Sequence, residues 1–176
     1  MGRKLIDFDV DLTRIYLVAE SAGAYLSTYV TAIKKSKVLQ KAIGYKATNM
    51  RFKAIGLISG MFYTTRKDSL GIFLSKSFYG NDKRSKAIAK YTNPENPEII
   101  YNIPPCYLVR SKADMLERYT LDFAGELGSK GVEHYLRHMG KDPKLIHAFP
   151  ILRPDLPESE RVINEIVDWF KKYEGK

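Results

Sequence analysis

The chain has 176 residues and carries 29 Lys and Arg against 20 Asp and Glu, a formal net charge of +9 at neutral pH. Its 44% hydrophobic and 12% aromatic content is too apolar for a solvated coil. A chain of this length buries roughly 70% of its unfolded surface on folding, so it needs no disulfide or metal staple. No run approaches the roughly 18 apolar residues that span a bilayer. The start, Met1-Gly2-Arg3-Lys4 followed by Asp7, Asp9 and Asp11, lacks the apolar stretch of a secretory signal. The single cysteine, Cys106, rules out an internal disulfide and a thiolate zinc site. The expectation is one cytoplasmic domain over residues 1–176, with no membrane segment. The cations are densest at 34–37, 83–86 and 171–172, each fitting the wet side of a helix, so no nucleic-acid partner is expected in spite of the charge.

Short apolar runs alternate with longer amphipathic stretches, the pattern of a mostly parallel sheet with helical crossovers. The first predicted strand, 14–19, passes at once through Glu20-Ser21-Ala22-Gly23 into a predicted helix over 24–35, where Leu26, Tyr29, Val30 and Ile33 recur at helical spacing. A second strand is predicted at 54–59. Residues 61–105 are richer in Tyr, Lys, Ser and Asn, with short helical pieces at 75–79 and 85–89 and the loop Asn93-Pro94-Glu95-Asn96-Pro97. This stretch reads as a cap-like insertion. Its Tyr63, Phe73, Phe78 and Tyr79 either line an apolar pocket or form a small core of their own. A third strand follows at 106–110, then a helix over 121–129 that Gly131 ends, and a fourth strand at 134–138. The last helix begins at Pro157, with Glu158 and Glu160 in its first turn and an apolar face of Val162, Ile163, Ile166, Val167, Trp169 and Phe170. Continuous apolar strands suit a sheet covered on both faces. The expected class is therefore α/β, with about four strands and flanking helices.

Three polar residues fall just past strand ends, where open parallel sheets place their sites. Ser21 lies between small residues at a strand-to-helix passage. A strained turn there lifts Oγ above the sheet and aims the Ala22 N–H at the same point, although the same residues also suit a serine that only caps a helix. Asp114 follows the third strand and His147 the fourth. In that order they supply a nucleophile, a carboxylate that orients an imidazole, and a general base. His134 and His138 share one face of a strand and read as contacts to solvent or neighbours rather than metal ligands. Cys106 reads as an inert core thiol, and Gly71, Gly80 and Gly140 as turn residues. No Gly-rich phosphate loop is present, and no cofactor is expected.

The run from Asp11 to Gly23 around Ser21, the run Ile103-Pro104-Pro105-Cys106-Tyr107-Leu108-Val109 leading to Asp114, His147-Ala148-Phe149, and Pro154-Asp155-Leu156-Pro157-Glu158 together resemble the C-terminal half of an α/β-hydrolase of the hormone-sensitive-lipase-like esterase branch. The resemblance covers nearly the whole chain. It implies a partial α/β-hydrolase fold and a serine hydrolase of short or medium acyl esters. Ser21, Asp114 and His147 are then catalytic, and Ala22 is an oxyanion donor. Two departures stand out. Ala19 and Ala24 occupy elbow positions where the family usually has glycine, and the His-Gly-Gly oxyanion loop that relatives carry upstream has no counterpart before Asp11. Losing one such donor costs about 10²–10³ in rate. A sheet beginning at the elbow strand exposes an apolar edge, so association is expected, either as a homo-oligomer or with a separate N-terminal half. The alternative to an enzyme is a non-catalytic assembly module that uses this edge.

Overall fold

Side-chain alternation along four parallel strands divides the interior into two cores. The computed structural model describes residues 8, 10–46, 48, 50–79 and 89–175, excluding the side chain of Tyr79. Gly80, the basic group at 83–86 and all but the last residue of the predicted helical piece at 85–89 lie outside the described residues. Strands β1 (Ile15–Glu20), β2 (Phe52–Ile58), β3 (Cys106–Ser111) and β4 (His134–Met139) pair in that order, every pair parallel. Ile55, Leu57, Cys106 and Leu108 point to one face and pack with Ala24 and Ala32 of α1 (Ser21–Lys35). A short α2 (Lys37–Ala42) follows α1, and α3 (Ser69–Tyr79) and α4 (Pro97–Ile100) lie between β2 and β3. Phe123, Ala124 and Leu127 of α5 (Glu117–Ser129) complete the first core. Ala54, Ile58, Tyr107 and Val109 point the other way, onto α6 (Phe149–Leu152) and α7 (Pro157–Lys171).

The two-sided burial expected of the strands holds for the inner pair. The last five residues of β2 and all of β3 are buried. β1 is only half-buried, with Val18 44% exposed, and it pairs on one side only among the described residues. In α7 the buried stripe is Val162, Ile166 and Trp169, while Val167 lies outside it and is exposed. Residues 61–105 contribute Phe62, Tyr63, Leu74, Tyr91, Ile99 and Ile100 to the first core.

Three helices begin earlier than their periodicity predicts, α1 among them at Ser21. α5 starts at Glu117, directly after the loop that carries Asp114. α3 starts at Ser69, so Gly71 is helical and not a turn residue. A Cβ at Gly71 would lie 2.2 Å from the Arg66 carbonyl oxygen, so the glycine lets the preceding chain cross the first turn of the helix.

Gly56 sets the seat of α7. A Cβ built there would stand 3.0 Å from Ile166 Cγ2, and Ile166 is fully buried. Gly56→Val should therefore destabilise the chain by about 1–3 kcal/mol through overpacking, measured as a lowered urea midpoint at unchanged slope. Wild-type stability would show that α7 is free to shift.

Candidate active site

β1 ends at Glu20 and α1 begins at Ser21 with no linker between them. To turn that sharply Ser21 takes φ 51°, in the left-handed region. Ser59, just past β2, has φ 50°, and Ala148, just past His147, has φ 55°; these are the non-glycine residues with positive φ among the described residues. Each such conformation is strained by about 1–3 kcal/mol, and strain of this kind collects at functional sites. Hydrogen bonds tie these turns to one another. Met61 N–H donates to the Ser21 carbonyl (3.1 Å), and Ala148 N–H donates to Ser59 Oγ (3.1 Å).

The loop after β3 is pinned from within. Asp114 N–H donates to the Ser111 carbonyl (3.2 Å) and Ala113 N–H to Ser111 Oγ (3.1 Å). Leu116 N–H donates to Asp114 Oδ1 (2.8 Å). Arg110 and Glu117 form an ion pair across the two ends of this loop. Asp114 is 6% exposed. Burial pushes its carboxyl up, but hydrogen bonding from His147, Ser59 and the Leu116 N–H outweighs burial and holds it below the usual carboxylate value.

His147 joins the two loops. Its Nδ1 lies 2.9 Å from Asp114 Oδ1 and its Nε2 2.9 Å from Ser21 Oγ. An ionised carboxylate can only accept, so Nδ1 carries the proton and Nε2 is left to accept from the Ser21 hydroxyl. The hydrogen bond to Asp114 holds the imidazole above its ordinary value of 6.5, against an opposing effect of burial and with help from the charges of Asp114 and Glu20. Ser21, Asp114 and His147 therefore form one hydrogen-bonded chain at the carboxyl ends of the strands. Ala22 lies in the first turn of α1, and Glu20 at the N-cap position before that helix makes no side-chain capping bond. That leaves first-turn N–H groups open to an anion.

The other sequence candidates sit apart from this chain. His134 Nδ1 lies 2.9 Å from the Val132 carbonyl, and His138 Nδ1 accepts from Arg110 Nε (2.8 Å). Burial and the neighbouring Arg110 charge hold His138 below its usual value. Among the described residues no group of three or more His, Cys, Asp or Glu could hold a metal ion. Cys106 is fully buried, its S–H donates to the Pro104 carbonyl (3.0 Å), and burial pushes the thiol far up. Tyr63 is buried beside Tyr119, with the Arg66 guanidinium 3.9 Å over its ring, whereas Phe73 and Phe78 are exposed. Ser59 is the residue that sequence reasoning missed. The one available signal was a hydroxyl at the end of an apolar strand run, the same logic that singled out Ser21.

Ser59 is 2% exposed, and Ser59→Ala leaves the Ala148 N–H without its acceptor. It should cost about 1–3 kcal/mol of stability in chemical denaturation, and proteolysis should cut the 145–150 segment more readily. Unchanged stability and cleavage would show that the bond does not hold the histidine loop.

No protein-family model matches the chain, and no curated protein is significantly similar to it. Solved structures are similar. An esterase B from Lactobacillus rhamnosis superposes with a TM-score of 0.85 at 21% identity, covering 98% of this chain and 57% of that one. An esterase from Pyrobaculum calidifontis gives 0.69 at 20% identity, with 97% and 57% covered. A fungal esterase from Rhizomucor miehei gives 0.66 at 16% identity, with 98% and 55% covered. The chain thus spans little more than half the length of these esterases. Across that span, the four parallel strands and flanking helices are a partial α/β-hydrolase fold, the fold of its esterase neighbours.

Proposed function

We propose that this chain carries the catalytic residues of a serine carboxylester hydrolase acting on short or medium acyl esters. The observation that supports this most directly is the hydrogen-bonded chain Ser21–His147–Asp114 at a strained strand-to-helix turn. One structural neighbour is described with a C4-C4 SN3 tributyrin phosphonate inhibitor, which favours a short acyl chain. The reading carries with it a cytoplasmic location and a cap-like role for residues 61–105.

In this mechanism Ser21 Oγ attacks the ester carbonyl carbon while its proton passes to His147 Nε2. Asp114 stabilises the imidazolium that forms. The carbonyl oxygen gains negative charge at the N-terminus of α1, where the Ala22 N–H donates to it. The C–O bond then breaks and His147 protonates the departing alcohol. Water, deprotonated by the same imidazole, releases the acid from Ser21.

A second reading has its own support. β1 pairs on one side only among the described residues, and Val18 on that strand is exposed. An apolar strand edge invites pairing with a second copy or with a separate polypeptide, and such a partner could also bring a further oxyanion donor. Light scattering would find a species larger than 20.1 kDa if the edge self-pairs. A stable monomer would remove self-association and leave the hydrolase reading untouched.

The hydrolase reading is tested with a fluorophosphonate. Ser21 Oγ should displace fluoride and become labelled, and Ser21→Ala should abolish labelling. Absence of labelling in the folded wild-type chain would overturn the reading. His147 must be neutral to accept the proton and its pKa is raised, so the rate should climb with pH through a midpoint above 6.5. Asp114→Asn should bring that midpoint down and slow the reaction by about 10⁴.

A further inference from the structure

The charge of this chain is unevenly placed. Residues 21–67 contain nine Lys and Arg and no Asp or Glu, which equals the net excess of the whole sequence. The fold brings four of those cations to one cleft at the amino-terminal end of the sheet, opposite the Ser21 site. The cleft encloses about 270 Å³ and is lined by Thr31, Lys34, Lys35, Lys37, Arg51, Phe52 and Pro104.

The local structure explains the convergence. Ser36 is buried and caps α2, with Leu39 N–H donating to its Oγ (3.1 Å). The kink between α1 and α2 falls at this residue, between Lys35 and Lys37. Lys34 Nζ is held by the Thr48 carbonyl (2.7 Å). Burial and the Arg51 charge both pull the Lys35 ammonium below its usual value, so these two cations feel each other. None of the four is paired with a carboxylate among the described residues. The carboxylate of Glu98 is bonded to Ser36 Oγ (2.7 Å).

From this cleft we infer a binding site for a phosphomonoester dianion carried on a small molecule with an apolar or planar body. The neutral hydroxyls are already engaged: Thr31 donates within α1 to the Ser27 and Thr28 carbonyls, and Ser36 donates to Glu98. Recognition therefore falls to charge, which favours a dianion over a neutral or singly charged group. Arg51 offers the planar fork that matches phosphate oxygens. Half-buried Phe52 and buried Pro104 supply an apolar wall for the rest of the ligand. The volume, near the lower end for ligand pockets, suits one phosphate and one ring.

Calorimetry at matched ionic strength tests the site with inorganic phosphate and phenyl phosphate. Both should bind saturably, phenyl phosphate more tightly, and Phe52→Leu should narrow that difference. Lys35→Met and Arg51→Met should each weaken binding by about tenfold, the effect of one charge-assisted hydrogen bond, while the variants keep the wild-type circular dichroism spectrum. Cosedimentation with phosphatidylcholine vesicles, with and without phosphatidate, separates a lipid headgroup from a soluble source of the same phosphate. Three results would each overturn the inference: no saturable binding of either probe or of phosphatidate vesicles, equal binding by wild type and both variants, or retention only on duplex DNA with steep salt dependence, which marks a general polyanion surface. None of these readouts depends on Ser21, so failure here leaves the hydrolase reading standing.

Discussion

The geometry depends most on the linker-free turn at Ser21. A strand that passes straight into a helix must reverse within one residue, and an L-residue there pays with a left-handed backbone. The turn persists because both arms are held: β1 by its pairing with β2, and α1 by the burial of Ala24, Tyr25, Thr28 and Ala32. Small side chains make room for it. A Cβ on Gly23 would meet Ala19 Cβ at 3.7 Å, an ordinary van der Waals contact, so the methyl group at position 19 lies against the turn without crowding it.

The chain from serine to carboxylate draws on both cores. Ser21 belongs to an element packed on the first core. The histidine loop is anchored by Leu145 and Phe149 in the second, with buried Ala148 between His147 and Phe149. Ser59 connects the two: it lies just past β2, in the sheet that divides the cores, and accepts the Ala148 N–H. Displacing one layer against the other by an ångström can lower a rate by about 10², so packing far from the reacting atoms, such as Ile166 on Gly56, bears on the chemistry.

Much of this was legible because it depends on local pattern. Continuous apolar runs marked β2 and β3, and the order of Ser21, Asp114 and His147 past the ends of the first, third and fourth strands predicted residues that the fold brings within hydrogen-bond distance. What stayed hidden depends on tertiary contact. Ser59 reads as the last residue of a strand until its left-handed backbone and its bond to Ala148 are seen. Gly71 reads as a turn because nothing in the sequence places the Arg66 carbonyl against it. Val167 has the right chemistry for the apolar face of α7 but lies off the arc that touches the sheet. The exposure of β1 at the end of the strand order is different: it matches the apolar edge that the family resemblance implied, although periodicity alone does not report it.

α1 links the two ends of the sheet and brings positive charge to each by a different route. Its N-terminus, partly positive and uncapped, lies beside Ser21, while Lys34 and Lys35 complement the partial negative charge of its last turn. Over 15 residues this helix spans about 22 Å, well beyond the Debye length of about 8 Å at physiological salt. An anion held by Lys35 and Arg51 therefore cannot act on His147 through solvent by charge alone. It can act through the helix as a body, because the hydroxyls of Thr28 and Thr31 bond to carbonyls within α1 and leave it without a polar break between its ends. Any coupling between the two ends must then show as a change in the packing of α1 on the sheet. That differs from a shift in the His147 titration, which a long-range electrostatic effect would produce.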